Sequence, residues 1–198
     1  TRRSSDLTCP VVYSNPVHIS KPVTAWDGFS WSNGSPTASK RVVFNGNFNS
    51  IANVYACGVE VLSGNVVFNP NHSLVVQNDV KVTGGSLTFE NNSSLVQVNT
   101  LDNKGVMFSN TGNITYKRTT TPIKRYDYTY WSSPVYPQTL GAFSPNSGFF
   151  YVYNPLIENW SQANTTIPMR RGKGYIIRTP DIAPFNTVTT NYFTGLFI

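Results

Sequence analysis

The strongest constraint on this chain is a tandem repeat of 21 residues near its middle. Residues 59–79, VEVLSGNVVFNPNHSLVVQND, are followed at once by residues 80–100, VKVTGGSLTFENNSSLVQVNT. Many equivalent positions are identical, among them Val59 and Val80, Gly64 and Gly85, Phe68 and Phe89, and Asn71 and Asn92. Each copy holds three short apolar runs separated by turn residues, so each copy is predicted to form three strands. The repeat therefore predicts a short right-handed parallel β-helix with three strands per coil of about 21 residues.

Such coils must stack, because a single coil cannot cover its own apolar side. An irregular earlier coil is predicted from residues 42–44 and 54–55, and a shorter later one from residues 106–108 and 114–116. Alternate residues of a strand share a face, which separates inward from outward positions. The predicted inward positions are Val59, Val61, Val66, Phe68, Leu74, Val76, Val80, Val82, Leu87, Phe89 and Leu95.

Composition and spacing divide the chain into three parts. Only 12% of the residues are charged, and no segment has the pattern of an amphipathic helix, so the chain is predicted to be all-β. Residues 1–21 are polar and interrupted by prolines, which is typical of a linker or the end of a preceding module. Residues 22–121 are predicted to form the β-helix, with Trp26 and Trp31 as an aromatic cap formed by tight turns.

A second module is predicted after residue 121, where the 21-residue spacing is lost and prolines recur. Residues 122–198 are predicted to form an antiparallel β-sandwich-like module, truncated at its C-terminal end. Its strands are predicted at residues 126–131, 149–153, 174–178 and 188–193. We expect the chain to be a piece of a longer protein, because it starts without a signal peptide and stops within an apolar run. No stretch is apolar for long enough to predict a membrane-spanning helix.

The formal net charge is +6, with basic clusters at residues 117–125 and 170–173. We expect no nucleic-acid partner, because the sequence lacks zinc-ligand spacing, a recognition helix and the aromatic motif of RNA-binding sheets. A solvated basic face and attraction to acidic glycans both remain open.

Cys9 and Cys57 are the only cysteines, and they allow one disulfide in an oxidising compartment. Pairing and two separate thiols both remain open. No cofactor and no metal cluster is predicted, because acidic calcium-binding nonapeptide repeats are missing. A single structural calcium ion held by loop carbonyl groups also remains open.

Some parallel β-helices cleave polysaccharides, which makes a catalytic site one candidate feature of this chain. A glycosidase needs two carboxyl groups about 5 to 9.5 Å apart, and no two acids occupy matching positions of neighbouring coils. Glu60 matches Lys81 instead, which predicts an exposed ion pair. His18 and His72 lack the sequence context of a serine or cysteine nucleophile, and His72 is predicted to lie in a surface turn. The sequence favours a non-enzymatic role.

Aromatic residues offer candidate contacts for sugars. In the strand at residues 126–131, alternation places three tyrosines on one face and Asp127, Thr129 and Trp131 on the other. We expect the tyrosine face to pack inward, since wide rings are usually buried with the hydroxyl at an edge. The candidate glycan-stacking residues are Trp131 with Asp127, and Trp160 with Arg170.

Three segments carry a resemblance to a known group of proteins: ITYKRT at 114–119, YDYTYWSSPV at 126–135 and GKGYIIR at 172–178. Together with WDG at 26–28, WSNG at 31–34 and the coil LTFENNSSLVQ, they resemble large surface proteins of gliding and related Bacteroidetes bacteria. The resemblance covers roughly residues 22–198. It implies export by the type 9 secretion system, usually through a carboxy-terminal sorting domain, followed by display on the cell surface or release.

These observations predict a non-enzymatic extracellular module that acts in structure or adhesion, within a large and gliding-associated surface protein. Its expected partners are the type 9 secretion translocon during export, and surface glycans or other surface proteins afterwards. The alternatives are a carbohydrate-binding module of a secreted protein and, less favoured, a β-helix enzyme that degrades polysaccharides.

Overall fold

The computed structural model describes residues 13–14, 17–18, 22–101, 105–107 and 109–197. The chain divides into two compact units, the first ending at Ile114 and the second beginning at Thr115. The sequence predicts that the β-helix ends at residue 121, and this residue lies in the loop that follows the first strand of the second unit. Within the first unit, two short strands near its start, β1 (Tyr13–Ser14) and β2 (Val17–His18), pair antiparallel. The predicted linker at residues 1–21 otherwise lies outside the described residues.

The first unit is a parallel β-solenoid, which confirms the predicted fold class. Its strands are β3 (Val23–Trp26), β4 (Arg41–Phe44), β5 (Phe48–Asn49), β6 (Val54–Ala56), β7 (Gly58–Val61), β8 (Asn65–Phe68), β9 (Ser73–Val76), β10 (Val80–Val82), β11 (Ser86–Phe89) and β12 (Ser94–Gln97). They form three parallel ladders, which are the three sides of the coil: β3-β4-β7-β10, β5-β8-β11 and β6-β9-β12.

The register of the ladders follows the sequence repeat. Val80 lies opposite Val59, and Leu95 lies opposite Leu74, so the two 21-residue copies are successive coils. The earlier coil predicted from residues 42–44 and 54–55 is present, with Val42 paired to Val59 at a shorter spacing. Of the later predicted coil, residues 114–116 fall within a strand at Ile114–Thr119, Met107 makes one isolated antiparallel bridge to Leu101, and residue 108 lies outside the described residues.

The interior of the solenoid is filled with aliphatic and phenyl side chains. Every predicted inward residue is buried except Val82, which is half-buried. Phe48, Phe68 and Phe89 form a column of rings along successive coils, with centroid separations of 6.1 and 5.2 Å. Burying a large apolar side chain contributes about 1.5–3 kcal/mol, so this column is a main source of the unit's stability.

Trp31 covers the first end of the column, as predicted for a cap. Its ring lies 5.7 Å from the rings of both Phe44 and Phe48. Trp26 also belongs to the cap, because its ring lies 5.1 Å from that of Trp31 and 5.4 Å from that of Phe48. An antiparallel bridge joins the two tryptophans across the turn, and Trp26 lies at the same time in β3, which pairs in parallel with β4. Local turn signals predicted the Asp-Gly and Asn-Gly bends correctly, but they did not reveal the long-range pairing of the preceding strand.

The corners of the coils repeat as well. Asn71 and Asn92 take left-handed backbone angles, with φ of 66° and 64°, at equivalent turns. A second corner stacks Cys57, Asn78 and Asn99: the Asn78 amide lies 3.4 Å from the Cys57 sulfur, and the Asn99 amide donates to Asn78 Oδ1 at 3.3 Å. These polar columns satisfy groups at the corners, where the strands end.

An ion pair links two coils that are separated by a third coil. Arg41 reaches across Gly58 and forms two hydrogen bonds with Asp79, at 3.0 and 2.7 Å. A Cβ on Gly58 would lie 2.6 Å from Arg41 Nη1 and 2.8 Å from Asp79 Oδ1, so the missing side chain leaves room for the pair. Lys81 lies in register with Glu60, but its Nζ is 3.5 Å from Asp79, so the predicted Glu60 ion pair is replaced by one to Asp79.

This pair sets the protonation of Asp79. Burial alone would raise the pKa of the Asp79 carboxyl, but hydrogen bonds from Arg41 and the charges of Arg41 and Lys81 outweigh it. The net effect holds the pKa of Asp79 below its ordinary value of 3.8.

The second unit is built mainly of antiparallel strands. They are β13 (Ile114–Thr119), β14 (Tyr128–Trp131), β15 (Val135–Tyr136), β16 (Phe150–Asn154), β17 (Asn159–Gln162), β18 (Tyr175–Arg178) and β19 (Thr190–Phe197), with one short helix, α1 (Leu140–Phe143). A four-stranded sheet has the order β14-β18-β16-β17, and β19 lies between β15 and β13. The four predicted strands are present within a few residues, whereas β15, β17 and α1 were not predicted.

Candidate binding face

The four-stranded sheet of the second unit has two sides that differ in chemistry. Antiparallel register puts Tyr130 opposite Ile176, Ile176 opposite Tyr151, and Tyr153 opposite Trp160. Because side chains alternate along each strand, one side carries a set of aromatic rings that we call the aromatic face. The aromatic face consists of Tyr128, Tyr130, Tyr151, Tyr153 and Trp160.

The rings of the aromatic face form two contacting groups, one around Trp160 and one of two tyrosines. The centroid of the Trp160 ring lies 6.1 Å from that of Tyr130 and 5.5 Å from that of Tyr153. Tyr128 lies 6.2 Å from Tyr151. All three pairs are tilted or edge-to-face, at interplanar angles of 54° to 67°, as aromatic pairs prefer. Mutual contact restricts the side-chain rotamers, so the face is preorganised.

The aromatic face is open to solvent. Tyr130 is 73% exposed, Tyr128 and Tyr153 are each 43% exposed, and Trp160 is 36% exposed. Single exposed apolar residues are common, whereas several wide rings exposed on one sheet face are a candidate interaction surface.

The opposite side of the same sheet is core. Phe150, Tyr175 and Ile177 are buried there, and the Trp131 ring packs 4.9 Å from Phe143 and 6.0 Å from Phe193. The prediction that the tyrosines of β14 pack inward is therefore wrong. Alternation defined the two faces correctly, but the partners that bury Trp131 lie in α1 and β19, far away in sequence.

One end of the aromatic face is cationic. The guanidinium groups of Arg125 and Arg178 lie 4.9 and 5.3 Å from the centroid of the Tyr126 ring. Tyr126 has a φ of 75°, a left-handed conformation that is costly for a bulky residue. Arg178 lies directly opposite Tyr128 in the strand register, so the charges adjoin the rings.

The two arginines differ in their partners. Arg178 forms an ion pair with Asp181 at 2.7 Å, and its Nε is buried without a hydrogen-bond partner. Arg125 is exposed, and its guanidinium also lies 5.5 Å from the Phe185 ring. Among the described residues, Arg125 has no acidic partner within ion-pair distance. Its charge is therefore available to a ligand.

A cleft of about 390 Å³ adjoins the same strand. Tyr128 and Tyr130 line it together with residues 120–123. Asp127 also lines the cleft, and its Oδ2 accepts a hydrogen bond of 2.8 Å from the backbone amide of Lys124.

The candidate stacking residues named from sequence are not one group. Trp160 lies on the aromatic face, whereas Trp131 lies on the core side of the sheet. Asp127 precedes β14 and Trp131 ends it, so three residues lie between them, and four steps of about 3.3 Å along a strand place them about 13 Å apart. Arg170 is exposed, and its backbone amide donates to the Tyr175 hydroxyl at 3.0 Å. Glycan stacking by these four residues stays a prediction.

Cys57 is bonded in a disulfide and is buried at its corner of the solenoid. Cys9, the only other cysteine of the sequence, lies outside the described residues. Of the two alternatives that the sequence left open for Cys57, the structure has the disulfide, and the cysteine that pairs with it is not among the described residues.

One histidine of the solenoid lies beside a serine hydroxyl. His72 Nδ1 lies 2.8 Å from Ser50 Oγ, but that hydroxyl is buried and accepts a hydrogen bond from the backbone amide of Asn69. The pair is thus a corner of the solenoid and does not present a nucleophile. Within the described ranges, no group of three or more histidine, cysteine or acidic residues is placed to hold a metal ion. The same part of the chain contains no helix that is long and apolar enough to span a bilayer.

Comparison with known proteins yields one match. The model of a family described as a domain of unknown function, DUF8693, matches residues 23–198. No curated protein and no solved structure matches the chain.

Proposed function

We propose that this chain is a structural and adhesion module of a large surface protein. The chain belongs to DUF8693, a family described as a domain of unknown function. It is non-enzymatic. The solenoid is a stable scaffold, and the aromatic face of the second unit is the contact surface. The single observation that carries this proposal is the open cluster of rings around Trp160.

The solenoid supports the scaffold role. Its interior is filled by side chains from successive coils, and each coil hydrogen-bonds to the next in parallel register. Such a stack is stabilised by contacts between neighbouring repeats. The Arg41–Asp79 pair adds a contact across an intervening coil.

The aromatic face supports the contact role. Tyrosine and tryptophan are enriched in interfaces, since a wide ring supplies contact area with few rotatable bonds and a polar tip. Keeping these rings in water is unfavourable, so their exposure has a cost that a bound partner would remove. The other side of the same sheet buries Phe150, Tyr175 and Ile177, so the exposed rings are not needed to form the core.

The extracellular location and the export route are part of the same proposal. The disulfide at Cys57 is favoured by an oxidising compartment. The resemblance to surface proteins of gliding bacteria supplies the type 9 secretion system as the route. In a bacterium that makes this protein, loss of the type 9 translocon should move it from the surface and medium into the periplasm. An unchanged distribution on immunoblots would remove this part of the proposal.

Adhesion is tested with beads that carry the chain, under flow, on agar, mucin-coated glass and polystyrene. Coated beads should be retained several-fold more than bare beads on at least one surface. The double variant Tyr130→Ser, Trp160→Ser should fall to the level of bare beads. Tyr55→Ser is the matched control, because Tyr55 is 47% exposed but lies on the solenoid. Equal retention of wild type and double variant, or of coated and bare beads on every surface, would overturn the proposal.

A further inference from the structure

The positive charge of the second unit indicates which class of ligand binds the aromatic face. We infer that the face binds an acidic polysaccharide, one whose sugar rings carry carboxylate groups. This inference rests on the proposed contact role of the same face and assigns its ligand class.

The rings supply stacking. An aromatic ring has a negative face, and the C–H groups on the flat side of a sugar ring carry partial positive charge, so the two attract each other. The aromatic face presents three ring pairs on one side of a sheet, and Tyr130 with 73% exposure is the most open of them. Several rings in a row suit a polymer of sugars better than a single small molecule.

The net positive charge of the second unit favours an acidic ligand. Residues 115–198 contain eight lysines and arginines and three aspartates and glutamates, which gives a net charge of +5. The second unit therefore carries five of the six net positive charges of the chain. The solenoid part is therefore nearly neutral, although it contains the longer stretch of sequence. A cationic surface raises the local concentration of an anionic polymer.

Arg125 places a positive charge at the rings themselves. Its guanidinium lies over Tyr126, two residues before the first tyrosine of the face, and it is exposed. A guanidinium binds a carboxylate through two parallel hydrogen bonds, and it keeps its charge at all physiological pH values. Arg178 is paired with Asp181, which largely offsets its charge, so its contribution is to hold the Tyr126 ring in position.

Polygalacturonate and alginate are the probes, with fully methyl-esterified polygalacturonate as the uncharged counterpart. Affinity electrophoresis and calorimetry should show binding to at least one acidic polymer and at least tenfold weaker binding to the ester. Raising the salt concentration should weaken binding to the acidic polymer, since exposed charges are screened.

Variants separate the two contributions. Tyr130→Ser and Trp160→Ser should each weaken binding to the acidic polymer by about tenfold, whereas Tyr55→Ser should not. Arg125→Gln should weaken binding to the acidic polymer severalfold and leave binding to the ester unchanged. Lys81→Gln removes the same charge from the solenoid and should have little effect, which separates local from net charge.

Three results would overturn the inference: no binding to either acidic polymer, equal binding to the methyl ester, or equally tight binding to single-stranded oligothymidylate. The last would indicate a nucleic-acid groove, which also combines rings with cations. If the acidic polymers fail but beads still adhere through Tyr130 and Trp160, only the ligand class is wrong. If adhesion fails as well, the contact role itself is wrong.

Discussion

Asp79 shows how one residue ties the repeat together. It occupies the corner between the two 21-residue copies, and its carboxylate binds the Arg41 guanidinium across the coil that carries Gly58. Neither the charge of Asp79 nor its spacing from Arg41 indicates this pair, because the first coils are shorter than 21 residues. Only the stacking register brings the three positions into one column.

We expect Asp79→Asn to lower the free energy of unfolding at pH 7 by about 1 to 3 kcal/mol, since a charge-assisted pair is lost. The pKa of Asp79 is held below its ordinary value of 3.8, so the unfolded chain binds more protons than the folded one in that range. The stabilisation is therefore full above that value and is lost as the pH falls through the folded-state pKa. Urea unfolding of wild type and variant from pH 7 to pH 2.5 should show the two curves converge only at the acid end. A constant difference over the whole range would contradict the pair's role.

At the scale of single elements, the turns of the solenoid are set by backbone conformation. Asn71 and Asn92 both have positive φ, and both are exposed, so their side chains add little packing. Asparagine tolerates this conformation better than most residues, and glycine tolerates it best.

Substitutions at Asn92 should separate conformation from side-chain contacts. Asn92→Ala is expected to cost about 1 kcal/mol in the free energy of unfolding, because alanine disfavours positive φ. Asn92→Gly is expected to be near neutral. Guanidinium denaturation of the three proteins measures both values. If alanine and glycine are equally destabilising, the side chain of Asn92 matters and its backbone angle does not.

The strands of the solenoid were largely predictable, and those of the second unit only in part. Phe68 and Phe89 repeat at a fixed spacing, so the sequence itself states which residues stack. In β14 the alternation of tyrosines with Thr129 and Trp131 defines two faces but not which one is buried. That choice is made by Phe143 and Phe193, which no local pattern connects to Trp131. Tyr151 and Tyr153 repeat the same alternation in β16, which is the one signal that could have revealed the aromatic face.

At the scale of the molecule, the solenoid adds coils as equivalent layers. Removing residues 59–79 joins Gly58 to Val80, and it leaves every later strand facing the same way, because Val80 takes the place of Val59. Removing residues 59–78 instead places Asp79 at that inward position and turns the following strand over.

We therefore expect the 21-residue deletion to keep the β-sheet circular dichroism and a cooperative unfolding transition, at reduced stability because the Arg41–Asp79 pair is lost. The 20-residue deletion should lose cooperativity and bind a dye for exposed apolar surface. Thermal unfolding and dye fluorescence compare the two. Equal behaviour of both deletions would mean that the corners absorb a shift in register and that the layers are not equivalent.

The matched edges of the two repeated coils have a consequence for evolution. Successive coils pair through strand edges that have the same hydrogen-bonding pattern. An in-frame duplication of the gene segment for one coil therefore adds a coil that pairs with its neighbours in the same way as the existing coils do. Unequal recombination can then lengthen or shorten the protein in whole steps, and the distance that the scaffold spans can change without any new packing having to be invented.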